Sequence, residues 1–293
     1  MKIAVRLRAF AKINYVLSIK GVREDGYHEI STVFQNISLA DEVELERADA
    51  GFALNVEPVQ TNVGPAKENT VYRAWELLRE LTGLDLPIQV TLHKKIPAGA
   101  GLGGASADAA AFLVGTNELF GLGLGSEDLA NVGLGIGADV PFCISGGTAL
   151  GTGVGENLSP LPAPPDHRLL LLKPESSAET AGIYKAYDEH PMGEGISTEP
   201  VEAVLREQNL RGLAAAVGND LAPVTRHLVP EVAVYEKELI RAGASGASMT
   251  GSGTAVYGIF ATEKKAQTAL SSMKAPFAGI YEPVPQGVEL AEF

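Results

Sequence analysis

Residues Pro97 to Ala109 read PAGAGLGGASADA, with four glycines between positions 99 and 104. Before this segment, Pro87 breaks the chain and Ile88 to Ile96 reads as a strand. After it, an Ala-rich helix is expected from about Ser106 to Phe120. A strand that enters a glycine-dense loop and leaves as a helix limits what the chain can build. Glycines let backbone N–H groups turn inward, and a helix N-terminus adds unpaired donors and partial positive charge. That arrangement suits a triphosphate. The same loop also reads as a tight turn with close helix packing, because glycine punctuates turns generally.

Two common nucleotide signatures fail on this segment. Gly99, Gly101 and Gly104 satisfy G-x-G-x-x-G, but a dinucleotide fold needs a strand soon after the helix and an acidic residue about 20 positions past the loop. Here another glycine turn and another helix follow, with Glu127 and Asp128 inside that helix. No G-K-[ST] follows any glycine loop, and no H-R-D or D-F-G occurs.

The rest of the chain reads as mixed helix and strand. Lys2 to Ala9, Ala11 to Ile19 and Glu42 to Glu46 are expected strands, with a charged turn from Gly21 to Gly26. Val71, Trp75, Leu78 and Leu81 recur at helical spacing behind Asn69. Further helices are expected over Ser126 to Leu134 and Glu231 to Arg241, and strands over Arg168 to Leu172 and Thr254 to Phe260. Four prolines in SPLPAPPD, Ser159 to Asp166, mark the best domain boundary and divide the chain into 1–158 and 159–293.

The formal charge of −13 argues against non-specific binding to nucleic acid or an anionic membrane. No run has the apolar density of a spanning helix or a signal peptide. Cys143 is the only cysteine, so an intrachain disulfide and a cysteine-cluster metal site are excluded, which fits a reducing cytoplasm.

Several residues stand out for chemistry. Asp139 precedes Val140-Pro141, which is expected to push the chain out of helix and leave the carboxylate at an element end. It reads either as a base or as a turn residue accepting backbone N–H bonds. Lys12 and Asn14 share one face of their strand, while Ala11, Ile13 and Tyr15 share the other. Two polar groups there are either a site or a solvated face. Tyr27 offers a face for a pyrimidine and His28 a directional hydrogen bond, or the two are a turn aromatic and an exposed imidazole. Tyr184 is a ligand contact or a helix core position, and Asn69 a contact or a cap. Gly251 and Gly253 read as a hairpin turn or as a turn facing the loop. The histidines show no metal spacing.

With AKINYVL (Ala11 to Leu17), the glycine loop and MTGSGTAVY (Met249 to Tyr257) in that order, the chain resembles the GHMP small-molecule kinases. The resemblance covers nearly the whole chain. It implies an α+β, two-domain fold with a ribosomal-protein-S5-like N-terminal domain and a ferredoxin-like C-terminal domain. GVREDGYHE (Gly21 to Glu29) and GADVPF (Gly137 to Phe142) narrow it to members acting in the non-mevalonate isoprenoid pathway. That implies transfer of the ATP γ-phosphate to the 2-hydroxyl of a CDP-linked methylerythritol. By resemblance Lys12 and Asp139 are catalytic. Asn69 and the loop residues Pro97, Ala98, Gly99, Ala100, Gly101, Leu102, Gly103, Gly104, Ala105, Ser106 and Ala107 hold ATP. Asn14, Tyr27, His28 and Tyr184 hold the acceptor, and Gly251 and Gly253 face the loop across the cleft. Magnesium is expected with ATP. The loop reads GLGGASAD where the family commonly shows GLGGGSSD or GLGGGSAD, so any serine role falls on Ser106. A homoserine or mevalonate type of kinase, or a non-catalytic GHMP-fold nucleotide sensor, are the alternatives. A monomer or weak homodimer in the cytoplasm is expected, with no nucleic-acid or membrane partner.

Overall fold

The computed structural model describes residues 3–58, 66–189 and 195–291; Lys2 of the expected first strand lies outside them. In chain order the elements are β1 (Ala4–Val22), β2 (His28–Arg47), β3 (Phe52–Glu57), α1 (Thr70–Thr82), β4 (Ile88–His93), α2 (Gly104–Phe120), α3 (Ser126–Leu134), α4 (Val140–Ser145), β5 (Thr148–Gly153) and β6 (Asn157–Pro160). Then come β7 (Arg168–Lys173), α5 (Thr180–Glu189), α6 (Glu199–Arg206), α7 (Leu210–Ala216), β8 (Gly218–Asn219), α8 (Ala222–Leu228) and α9 (Glu231–Arg241). The chain ends with β9 (Gly246–Met249), β10 (Val256–Phe260), α10 (Glu263–Leu270), β11 (Phe277–Tyr281) and β12 (Val288–Ala291). No helix among the described residues is long and apolar enough to cross a membrane.

The first sheet runs β12-β1-β2-β4-β3, with β5 and β6 continuing from β2 and β8 added to β1. The two strands expected at the N-terminus are one long strand, β1. It pairs antiparallel with β2 and slips register between Phe10 and Lys12 and again between Asn14 and Val16. Bulges bend a strand and re-aim its side chains. They bracket the two polar residues, and the Lys12 amide donates to Leu102 of the glycine loop at 2.9 Å. The strand thus keeps its β2 partner at Lys12, opposite Asn36, and takes hold of the loop with its other edge.

α1 and α2 pack on this sheet. Asn69 caps α1 by accepting from the Val71 amide, and Val71, Trp75 and Leu78 are buried, whereas Leu81 faces solvent. In α2 a run of small residues, Ala107 and Ala109 to Ala111, is fully buried against the strands. Small side chains let a helix approach a sheet closely, and their burial adds apolar area removed from water at low entropic cost.

The second sheet is antiparallel in the order β11-β7-β10-β9. With α9 between β7 and β9, and α10 between β10 and β11, it has the β-α-β-β-α-β succession of a ferredoxin-like domain. Two segments beyond Ser159 return to the first sheet: β8 pairs with Val16 and Leu17, and β12 pairs with Arg6 to Ala9. The two sheets divide near the proline-rich segment, but the chain crosses back.

Candidate active site

The glycine loop, the bulged part of β1, the β1–β2 turn, α5 and the β9–β10 turn surround one cleft of about 980 Å³. Lys12 and Asn14 are 4% and 1% exposed, so their face of β1 is not solvated. The Lys12 ammonium donates to Asn14 Oδ1 at 3.0 Å and pairs with Asp139 Oδ2 at 3.2 Å. It also lies 5.3 Å from the centre of the Phe34 ring. One of its three donors is committed to Asn14, which leaves donors for Asp139 and an incoming anion.

Asp139 sits at the start of α4. Pro141 lies in the first turn of that short helix, where its fixed φ is tolerated and its missing N–H costs nothing. Val140-Pro141 therefore begins a helix instead of ending one. The carboxylate makes no capping hydrogen bond, so the turn-residue alternative does not describe it. It is left to Lys12 and the cleft.

Asn14 is bonded within the protein. Its Oδ1 accepts from Lys12 and from the Gly251 amide, each at 3.0 Å, and its Nδ2 donates to Thr32 Oγ1 at 2.7 Å. It touches the cleft, but its polar atoms fix Lys12 and the β9–β10 turn in place. That turn was expected across the cleft from the loop; instead it lies directly on it. The Thr250 hydroxyl donates to the Gly101 carbonyl, and the Ala255 amide to Ala100. A Cβ on Gly101, whose φ is +73°, would come within 2.1 Å of the Thr250 carbonyl oxygen. Gly251 reaches the cleft wall, whereas Gly253 does not.

Pro97 to Ser106 line the cleft, and Ala107 does not. Ala107 is fully buried, because it falls on the sheet side of α2. The Ser106 hydroxyl makes no hydrogen bond among the described residues. Asn69 both caps α1 and lines the cleft; its Nδ2 makes no hydrogen bond among the described residues. Tyr27, on the turn between β1 and β2, is two-thirds exposed at the mouth. His28 is buried against α5, with its ring 4.7 Å from that of Tyr184.

Sequence reasoning passed over a buried charge cluster behind the loop. Lys94 bridges Asp41 and Asp108. Asp41 also accepts the Lys95 and Ile96 amides, whereas Asp108 Oδ1 is buried without a partner among the described residues. Two carboxylates share one ammonium, so one of them takes the proton. Burial, opposed by Lys94 and reinforced by Asp41, pushes Asp108 up to about 7. Its folded value lies above the unfolded carboxylate value of about 4. The stability it contributes is therefore fully present below about pH 4 and is lost as pH rises through about 7. Thermal melts across that window should fall more steeply for the wild type than for Asp108→Asn. Parallel melting curves would show that the proton sits elsewhere.

Residues 69–147 match the model of the GHMP kinases N terminal domain, and residues 201–279 that of the GHMP kinases C terminal. The chain is 43% identical over 275 residues to the 4-diphosphocytidyl-2-C-methyl-D-erythritol kinase of Moorella thermoacetica, covering 92% of this chain and 95% of that one. A solved 4-(cytidine 5'-diphospho)-2C-methyl-D-erythritol kinase superposes with a TM-score of 0.81 at 32% identity, over 95% of this chain and 98% of that chain. A homoserine kinase from Cytophaga hutchinsonii superposes with a TM-score of 0.80 at 21% identity, over 99% and 98%; at that identity the likeness is one of fold.

Proposed function

The chain belongs to the GHMP kinases, and on that premise we propose that it phosphorylates the 2-hydroxyl of a CDP-linked methylerythritol with ATP, a step of isoprenoid precursor synthesis. The observation that carries the acceptor assignment is the ring pair of His28 and Tyr184 in the same cleft as Lys12 and Asp139. One extended substrate then places a pyrimidine at one end and an alcohol at the other.

The glycine loop holds the triphosphate, and Asn69 offers its free amide to the purine edge. The acceptor oxygen attacks the γ-phosphorus, and the bond from that phosphorus to the β–γ bridging oxygen breaks. ADP leaves with the bridging oxygen and its electron pair, and the hydroxyl proton passes to the Asp139 carboxylate. Lys12 orients that carboxylate and gives a donor to the transferred group. Phosphoryl transfer asks mainly for positioning and charge stabilisation, and these residues supply both.

Magnesium travels with the nucleotide. Among the described residues, no group of three carboxylate, imidazole or thiolate side chains is placed to hold a metal ion. The free Ser106 hydroxyl is the loop group able to add a ligand beside the nucleotide's own phosphates. The ion, when bound, neutralises charge on the phosphate oxygens. Lys12, Asp139 and the glycine loop of one chain line the same cleft, in keeping with action as a monomer or weak homodimer. The lone Cys143 is buried, in keeping with the cytoplasm.

ADP release should require the CDP-linked alcohol, and the same alcohol without its cytidine, or homoserine, should give little. Equal rates with and without the cytidine would overturn the acceptor assignment and leave the family standing. Within this reading, Tyr27→Ala should raise KM for the CDP-linked substrate by about tenfold to a hundredfold, since stacking on an aromatic is worth roughly 1–3 kcal/mol per base. ATP affinity should not change. Steady-state kinetics with each substrate varied in turn would check both.

A further inference from the structure

We propose that Asp188 sets the cytosine-over-uracil preference of this cleft by fixing the tautomer of His28; the proposal rests on the cytidine reading above. His28 Nε2 lies 2.7 Å from Asp188 Oδ1. An ionised carboxylate only accepts hydrogen bonds, so the Nε2 atom must carry the proton. The other ring nitrogen of a neutral imidazole is then an acceptor. Nδ1 makes no hydrogen bond among the described residues, and His28 lines the cleft.

The ring has little freedom to turn over. It is held by Tyr184 at 4.7 Å and by Tyr187 edge-on at 6.4 Å, both on the helix that carries Asp188. Asp188 follows Tyr184 by four residues, so the stacking ring and the carboxylate share one face of α5. Helix and imidazole form one unit, with a single acceptor nitrogen left over.

That acceptor distinguishes two otherwise similar pyrimidines. Cytosine presents an exocyclic amine, a donor, where uracil presents a carbonyl oxygen. An acceptor nitrogen satisfies the amine and repels the carbonyl. A site built around a hydrogen bond rejects the analogue that cannot make it, because both groups are left unpaired. Asp188 also lines the cleft, but its carboxylate is engaged by the His28 ring. It is a positioning residue that acts through His28.

The test compares wild type, Asp188→Ala and Asp188→Asn with the CDP-linked alcohol and its UDP-linked counterpart. Asp188 is partly exposed on the surface of α5, so the variants should fold. In Asp188→Ala the ratio of kcat/KM for cytidine over uridine should fall about tenfold, through KM for the cytidine substrate. The kcat at saturation and KM for ATP should hold. Asp188→Asn should keep most of the preference, because its amide oxygen still accepts from Nε2–H. The 15N resonances of the His28 ring should show Nε2–H in the wild type and a mixture of tautomers in Asp188→Ala. A wild-type ratio in Asp188→Ala, or a wild-type ring protonated at Nδ1, overturns this proposal alone. A wild type that leaves the cytidine-linked alcohol untouched overturns the cytidine reading together with it.

Discussion

Asp139→Asn is expected to lower kcat by at least ~10²-fold, with KM for either substrate little changed. Asparagine keeps the size and planarity of the side chain but cannot take a proton and carries no charge for Lys12. The size of the effect follows from the reaction. In a loose phosphoryl-transfer transition state the acceptor hydroxyl is still largely protonated when the bond to the leaving group is mostly broken. A base then contributes orientation and late proton removal more than nucleophile activation. That argues for the lower part of the usual 10²–10⁴ range. The Lys12–Asp139 distance of 3.2 Å and the absence of a capping bond from the carboxylate motivate the expectation. Turnover close to wild type in a folded Asp139→Asn would remove Asp139 from the chemistry. Lys12 and the loop would then have to carry the transfer by charge stabilisation alone.

Legibility in the sequence followed how local each determinant was. Helices α3 and α9 lie where periodicity and flanking signals put them, since caps and apolar spacing are written within a few residues. The β9–β10 turn shows in MTGSG because glycine is needed there whatever lies opposite. What lay opposite was not legible, so a turn expected across a gap proved to be in contact with the loop. The bulges around Lys12 and Asn14 depend on which β2 residue each β1 residue meets. Alternation alone therefore predicted two strands where one bent strand exists. Val140-Pro141 misled for a related reason: proline bars the helix interior but suits the first turn, and only the fold decides which applies. The Lys94, Asp41 and Asp108 cluster joins residues 14 and 53 positions apart. Asp188 reaches His28 across 160 positions. No spacing rule finds such partners, though the aspartate inside GLGGASAD stood in plain view.

Gly103→Val should lower kcat by about 10²-fold as well as weaken ATP binding, and the first effect comes from the fold. The sequence alone suggests a simpler outcome, in which a side chain at this position blocks the backbone's approach to phosphate, weakens ATP binding and spares the CDP-linked ligand. Gly103 has φ +71°, and a Cβ there would lie 2.9 Å from Lys12 Cγ and 3.2 Å from Cε. The Lys12 side chain is almost completely enclosed, its ammonium held by Asn14 and Asp139 and its amide by Leu102. The stem has nowhere to retreat without moving the ammonium. Displacing a positioned group by about 1 Å costs on the order of 10²-fold in rate. The positive φ adds roughly 1–2 kcal/mol of backbone strain for any residue with a Cβ. Gly103→Ala carries that strain with a smaller collision, so it separates the two contributions. Calorimetry for ATP and kcat at saturating ATP, measured on both variants, resolve the outcomes. If ATP affinity falls while saturated kcat is kept, the loop binds phosphate but Lys12 tolerates the displacement. If neither changes in a folded Gly103→Val, the loop is not where transfer occurs.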